Sequence, residues 1–361
     1  MRRMLMLIAV ASAALLATPA AQTQGQNTTD IYFIDTEGGQ ATLIISPSKG
    51  MLGARETLLL DAGNLNPAGR DADRILAALK DAGVDERIDQ LVVSHYHGDH
   101  VGGVAALADK VTIRRVLDPG PFTPETNGNR EAGFMSYLPL RQILPVSIAK
   151  PGQKISVAGL DVHVVSSAGE LISAPLPGVR RAANPLCASA ERKAQDNTPN
   201  NFESIGVMVE FGRFRYLDLA DLTWNQEIDL VCPNNLLGTV AVYRTSRHGG
   251  DYSGAQALVH SVRPRIAVMN NNPTKGGTPD TFRIVKSSPG MQDFWQLHYS
   301  DNVGQEVNSP ESFIANFTGA RDGGHYIKLS ARSDGSFTVT NGRNGFAKEY
   351  PAATGAVTSS R

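Results

Sequence analysis

The stretch Ser94–Gly103 reads SHYHGDHVGG and packs three imidazoles and a carboxylate, His95, His97, Asp99 and His100, into a single turn. Neutral imidazole nitrogens suit zinc and neighbouring first-row ions, and a carboxylate balances the charge of the metal. That is more ligands than one ion with an open coordination position would use. Alternate residues of a tight turn face different ways, so His95 and His97 can approach one ion while Asp99 and His100 approach a neighbour. Gly98 relaxes the turn, and Gly102 and Gly103 let the following helix pack closely. Two ions roughly 3.5–4 Å apart share a water and bring its pKa to roughly 7, which makes hydroxide at neutral pH. The chemistry expected is metal-assisted hydrolysis, with Asp99 placed to orient the nucleophile and to carry a proton.

The elements around the motif are those of a layered α/β fold. Ile31–Asp35, Ala41–Ser46 and Glu56–Asp61 read as strands, and Arg70–Ala82 places Ile75, Leu76 and Leu79 at helical spacing before Gly83. Ile88–Ser94 reads as a buried strand whose C-terminal end delivers the motif, the usual site placement in such folds. A second series follows from Ile155: ISVAGLDVHVVSS, SIGVMVEFG, FRYLDLAD, GTVAVYRTS and RIAVMN as strands, TWNQEIDLVC and SGAQALVHSV as helices. Two such halves predict a four-layer αββα sandwich. WQLHYS, SFIANF, HYIKLSAR and SFTVTN predict extra C-terminal strands that cover one end of it. The domain is expected over 22–345, with 346–361 as a tail and Gly169–Asn201 as a long loop rich in Pro, Ala and Asn, either functional or disordered.

The motif resembles the HxHxDH signature of the metallo-β-lactamase superfamily of binuclear hydrolases, and the likeness extends over about Ile31–Asn341. The opening YFIDTEGGQATLI is similar to the start of the extracellular hydrolase domain of bacterial competence (ComEC-like) proteins. The resemblance implies two divalent ions, most simply zinc. It also implies that Asp61 of LLLDAG lies beside the metal loop. It further implies a bridging aspartate after a buried strand; Asp221 of ADLT takes that place, with Asp218 of the same segment as its rival. The last ligand is carried over to His248 of Arg247-His248-Gly249-Gly250, where the competence-type pattern has HHGS. Arg247 replaces the first histidine of that pair and offers a guanidinium for an anionic substrate or a structural ion pair. The third histidine usual for the first metal has no counterpart: His163, inside DVHVVSS, reads as a strand residue. Asn201 and Asn200 of DNTPNNFESIG are the weak substitutes. His260 reads as packing, and His298 and His325 as structural residues or contacts at the pocket.

The substrate stays open between phosphoesters or phosphodiesters, favoured by the ComEC-like resemblance, and lactones or β-lactams. A metal-stabilised binding module without turnover is the alternative of another class. A formal charge of −1 without any long basic run gives little support to bulk nucleic-acid binding and points to a small or short oligomeric substrate. Arg2 and Arg3, an apolar run Met4–Leu16 and small residues at Ala20 and Ala21 predict a leader over 1–21. The mature chain is then expected in a bacterial periplasm or outside the cell, with no membrane attachment after cleavage. The uncleaved anchor is the alternative reading. Cys187 and Cys232, the only cysteines, are open to pairing or to existence as separate thiols.

Overall fold

The computed structural model describes residues 27–48, 54–66, 68–121, 128–194, 200–317 and 323–353. The expected leader over 1–21, the last residues of the tail and part of the DNTPNN stretch lie outside them. No helix among the described residues is long and apolar enough to cross a membrane.

The first half runs β1 (Thr28–Phe33), β2 (Thr42–Ile45), β3 (Thr57–Leu60), α1 (Arg70–Asp81), β4 (Arg87–Ile88), β5 (Gln90–Val92), α2 (Gly98–Val101), α3 (Val104–Ala108), β6 (Thr112–Ile113), β7 (Val116–Asp118), α4 (Gly128–Ile143) and β8 (Val146–Ile148). The second comprises β9 (Lys154–Val157), β10 (Leu160–Ser167), β11 (Glu170–Leu171), β12 (Gly206–Phe211), β13 (Phe214–Asp218), α5 (Trp224–Asp229), β14 (Val242–Arg244), α6 (Gln256–Val262), β15 (Ile266–Met269), α7 (Pro279–Lys286), β16 (Asp293–His298) and β17 (Ile314–Asn316). The chain then returns through β18 (Ile327–Arg332), β19 (Phe337–Asn341) and β20 (Ala347–Tyr350).

Period-two alternation in the strands builds the layers. In β1, Ile31 and Phe33 point into the core between the sheets, while Tyr32 points outward to the helices. β3 repeats the pattern, with Leu58 and Leu60 inward and Leu59 outward. On that outer face α1 lays Ala72, Ile75 and Leu79, the i, i+3, i+7 stripe, against the first sheet together with Val104 and Leu107 of α3. The second sheet does the same: Ile266 and Val268 of β15 face inward, and Ala267 and Met269 meet Leu258 of α6 and Phe282 of α7. Three apolar cores thus separate four layers, α, β, β and α.

The C-terminal strands depart from the expectation of a cap over one end. β16 and β17 extend the second sheet as parallel neighbours of β15, and β18 pairs antiparallel with β1 in the first. The first sheet therefore runs β20-β19-β18-β1-β2-β3-β5-β7-β8, uniting both ends of the described chain. The tail expected from 346 is corrected as well: β20 pairs with β19, and Tyr350 is buried on Phe337 with ring centroids 4.6 Å apart. An alternating AKEY with a single inward aromatic carries too little apolar signal to stand out before its partner strand is known.

The Gly169–Asn201 segment is held down along much of its length. Cys187 and Cys232 form a disulfide, Asn184 donates from Nδ2 to the Val231 carbonyl at 2.9 Å, and Leu176 N donates to Leu236 O at 2.9 Å.

Candidate metal centre

All the ligating side chains sit beyond the C-terminal ends of parallel strands. His95 and His97 leave β5, Asp99 and His100 lie in the short helix α2, Asp221 follows β13, and His248 follows β14. The bend that turns the motif back is enforced by contact. A Cβ on Gly103 would stand 1.9 Å from the Ala62 carbonyl oxygen, so only glycine lets α3 approach the β3 turn. Arg247 and His248 both occupy left-handed backbone, at φ 51° and 58°, which swings the imidazole over the sheet edge. Gly276 closes beneath, where a Cβ would meet the His248 carbonyl oxygen at 1.8 Å.

Two groups of three result, His95–His97–Asp221 and Asp99–His100–His248, each with ligand atoms within 4.8 Å of one another. His95 Nε2 lies 2.9 Å from His97 Nδ1. His248 Nε2 is 3.1 Å from Asp99 Oδ2, and His100 Nε2 is 3.5 Å from the same oxygen. Asp221 stands between the groups, with Oδ1 3.4 Å from His100 Nε2 and Oδ2 3.6 Å from His248 Nε2. His100 Nε2, His248 Nε2 and Asp221 Oδ1 are buried without a hydrogen-bond partner among the described residues. Polar atoms left so are costly, and a divalent cation between them would satisfy all three. The donor set therefore fits metal.

The electrostatics agree. Burial would depress the His100 imidazole, but Asp221, Asp99 and Asp61 outweigh it and push it up to about 10. Burial opposes ionisation of Asp221, yet His248 and His100 hold its carboxyl well below the usual range. Asp99 is held low in the same way, against burial, by Lys275, His100 and His248. Burial, followed by the nearby His100 and His97, drives His95 well below the ordinary imidazole value, which keeps its lone pair available to a metal. Such a pocket of ionised carboxylates attracts a cation strongly.

The supporting residues orient the ligands. Asp61 accepts from Ser94 N at 2.7 Å and Ser94 Oγ at 2.6 Å, and its Oδ2 lies 2.7 Å from His100 Nδ1. It thereby leaves His100 Nε2 to face the centre. Asn270 Nδ2 lies 3.0 Å from His248 Nδ1 and positions that ring from behind. Asp218, the rival of Asp221, accepts from the buried Arg244 at 2.7 Å and takes no place in either group. Asn201 is buried and lines the cleft beside His97, with Ser204 Oγ 3.5 Å from His95 Nδ1. Arg247 also lines the cleft, its guanidinium 5.5 Å over the Tyr252 ring.

The remaining histidines lie elsewhere. His163 faces Glu210 from β10, and His260 Nε2 sits 3.0 Å from the Ile284 carbonyl between α6 and α7. His298 joins Asp35 at 2.7 Å in a third acidic group with Glu37. There Arg74 already supplies the positive charge, 3.0 Å from Asp35 and 3.3 Å from Glu37. His325 precedes β18, its backbone N–H donating to Asn316 Oδ1 at 3.0 Å. Sequence reasoning passed over Arg244, Asn270 and Lys275. A lone arginine inside the apolar strand VAVYRTS was a usable signal, because a buried guanidinium demands a partner. Lys275 had none: only the fold brings it to Asp99.

The centre forms the floor of a cleft of about 590 Å³, with Lys275, Arg247, Asn64 and Leu65 among its walls. Lys275 donates to Asp99 Oδ2 and, at 2.6 Å, to the Gly38 carbonyl.

Residues 35–156 match the family model described as the metallo-β-lactamase superfamily, a span that holds Asp61 and the whole SHYHGDHVGG motif. No curated protein matches the sequence. Among solved structures, the chain is similar to the metallo-β-lactamase fold protein YhfI from Bacillus subtilis, at 11% identity and TM-score 0.44 over 74% of this chain and 95% of that one. It is similar to Igni18, a metallo hydrolase from Ignicoccus hospitalis, at 14% identity and TM-score 0.42 over 74% and 94%. CmlA, a diiron β-hydroxylase from Streptomyces venezuelae, aligns at 13% identity and TM-score 0.42 over 74% of this chain and 53% of its own length. Residues 35–156 are thus similar to the metallo-β-lactamase superfamily, and the chain has a mixed α/β metallo-β-lactamase fold with additional C-terminal strands.

Proposed function

We propose that this chain is an exported metal-dependent hydrolase of phosphoesters or phosphodiesters, acting on small or short oligomeric substrates. The observation that carries the reading is the convergence of two three-ligand groups on one cleft whose walls include two cations, Arg247 and Lys275. When bound, two divalent ions, zinc by chemistry of the donor set, supply Lewis acidity and an acidified water. His95, His97 and Asp221 would hold one ion, and Asp99, His100 and His248 the other, with Asp221 shared. Arg247 and Lys275 bind and orient an anionic group, which a guanidinium and an ammonium do at different geometries. Asp99, kept ionised by Lys275, His100 and His248, would orient the attacking water. YFIDTEGG supports the ComEC-like branch, from whose pattern RHGG departs at Arg247. The disulfide and the leader-like N-terminus support export, since disulfides persist in oxidising compartments.

The test is elemental analysis of the purified chain together with turnover of a chromogenic phosphodiester, a lactone and a β-lactam, with His97→Ala and Asp221→Ala as controls. About two ions per chain and phosphodiester turnover lost in both variants are expected. Clean β-lactam turnover without phosphodiester turnover would reassign the substrate, and bound metal with no turnover on any of the three would make this a binding module.

A further inference from the structure

The opposite edge of the second sheet carries a second cleft, of about 500 Å³, within the size range of small-molecule sites. It lies at the N-terminal ends of β13, β14, β15 and β16, whereas the metal ligands follow the C-terminal ends. Four arginines line it: Arg213 and Arg215 at the start of β13, and Arg263 and Arg265 before β15. One carboxylate, Asp334, shares the lining, and its oxygen Oδ1 is taken by Ser336 N at 2.8 Å and Ser336 Oγ at 2.7 Å. A second carboxylate, Glu210, accepts from Arg215 Nε at 2.5 Å. This charge stands out in a chain whose formal net charge is −1.

The guanidiniums are held, not merely displayed. Arg215 also donates from Nη1 to the Thr239 carbonyl at 2.8 Å, while its Nη2 is buried with no acceptor among the described residues. Arg265 stacks its guanidinium 5.1 Å over the Phe337 ring. Arg263 sits at the end of α6 in left-handed backbone, φ 46° and ψ 58°, a conformation unfavourable for a non-glycine residue. Like charges gathered around a cleft repel one another, and an oxyanion that several planar N–H forks can grip relieves that repulsion.

We propose that this cleft is a phosphate-group binding site, separate from the metal centre and independent of the hydrolase reading. The ligand chemistry is a multi-oxygen anion gripped by guanidiniums, either free phosphate or a phosphate within a short polyanion. The test is calorimetric titration of the full chain with inorganic phosphate and, separately, with linear triphosphate, in metal-loaded protein and after chelation. Saturable binding is expected in both states, weakened about tenfold or more in Arg213→Gln/Arg263→Gly with metal content and turnover unchanged. Glycine suits the backbone at 263, so that variant keeps the fold while removing the charge. Tighter binding of triphosphate would identify a polyanion and equal binding would identify free phosphate, both in support of the site. Phosphate affinity unchanged in the double variant, or binding abolished by chelation alone, would overturn the proposal.

Discussion

Arg244 donates from Nε to Asp218 Oδ1 across 2.7 Å, and both side chains are buried beneath the metal centre. Arg244 Nη1 reaches Asn270 Oδ1 at 2.8 Å, and Asn270 in turn meets His248. Asp218 Oδ2 also accepts from Tyr216 at 2.8 Å and Gln40 at 3.2 Å. Removing one partner from such a pair strands a buried charge. Arg244→Met is therefore expected to lower unfolding free energy by about 3–5 kcal/mol in urea denaturation. Adding Asp218→Leu should recover part of that loss, because the stranded carboxylate is then gone. A loss below about 1 kcal/mol in the single variant would mean that the pair is not stabilising in context.

Asn270 holds His248 without being a ligand itself. Asn270→Ala should leave the fold intact yet weaken metal binding by about 10–100-fold, read by competition with a chromophoric chelator. Unchanged affinity would mean that the left-handed turn at 247–248 alone sets the imidazole.

Metal and stability should be linked, since the folded chain gathers Asp61, Asp99 and Asp221 around His100. Zinc titration is expected to raise Tm with the logarithm of free metal, and His97→Ala to blunt the rise. A Tm indifferent to chelation would remove the link between the fold and the metal.

Glu227 is buried at the N-terminal side of α6, accepting from Ala255 N at 2.7 Å, and burial pushes its carboxyl up to about 8. Below the ordinary glutamate range both folded and unfolded chains carry the proton. As pH rises toward about 8, the unfolded chain releases it first, so stability falls across that window and then levels. The loss between pH 5 and 8 should be on the order of 2–4 kcal/mol, and Glu227→Gln should flatten it. A profile equally steep in the variant would point to another group.

The disulfide spans a sequence separation of 45 and ties the long loop to the end of α5. Cys187→Ser/Cys232→Ser should cost about 2–4 kcal/mol of stability, chiefly by freeing the unfolded chain. Wild type assayed under reductant should match the variant; a difference between the two would trace to the serines themselves.

Much of this centre was legible in the linear sequence, for a physical reason. His95, His97, Asp99 and His100 lie within one turn, so their proximity needs no tertiary information. The strands too announce themselves locally: Ile31–Phe33 and Leu58–Leu60 are continuous apolar runs because these strands are buried on both faces. The C-terminal strands were visible as strands, but their partners were not. Whether β16 joins β15 or caps an edge depends on pairing across the sheet, which no local pattern encodes.

What the sequence alone determined was a ligand-rich turn at a strand end, in a chain of alternating strands and helices. Only the tertiary structure decided that Asp221 faces the ligands while Asp218 faces Arg244, because Asp218 ends β13 and Asp221 lies in the turn after it. It also decided that Lys275 meets Asp99, and that two pairs of arginines from distant segments share one cleft. These are encounters between residues far apart along the chain, and burial and sheet pairing, rather than spacing, bring them within reach.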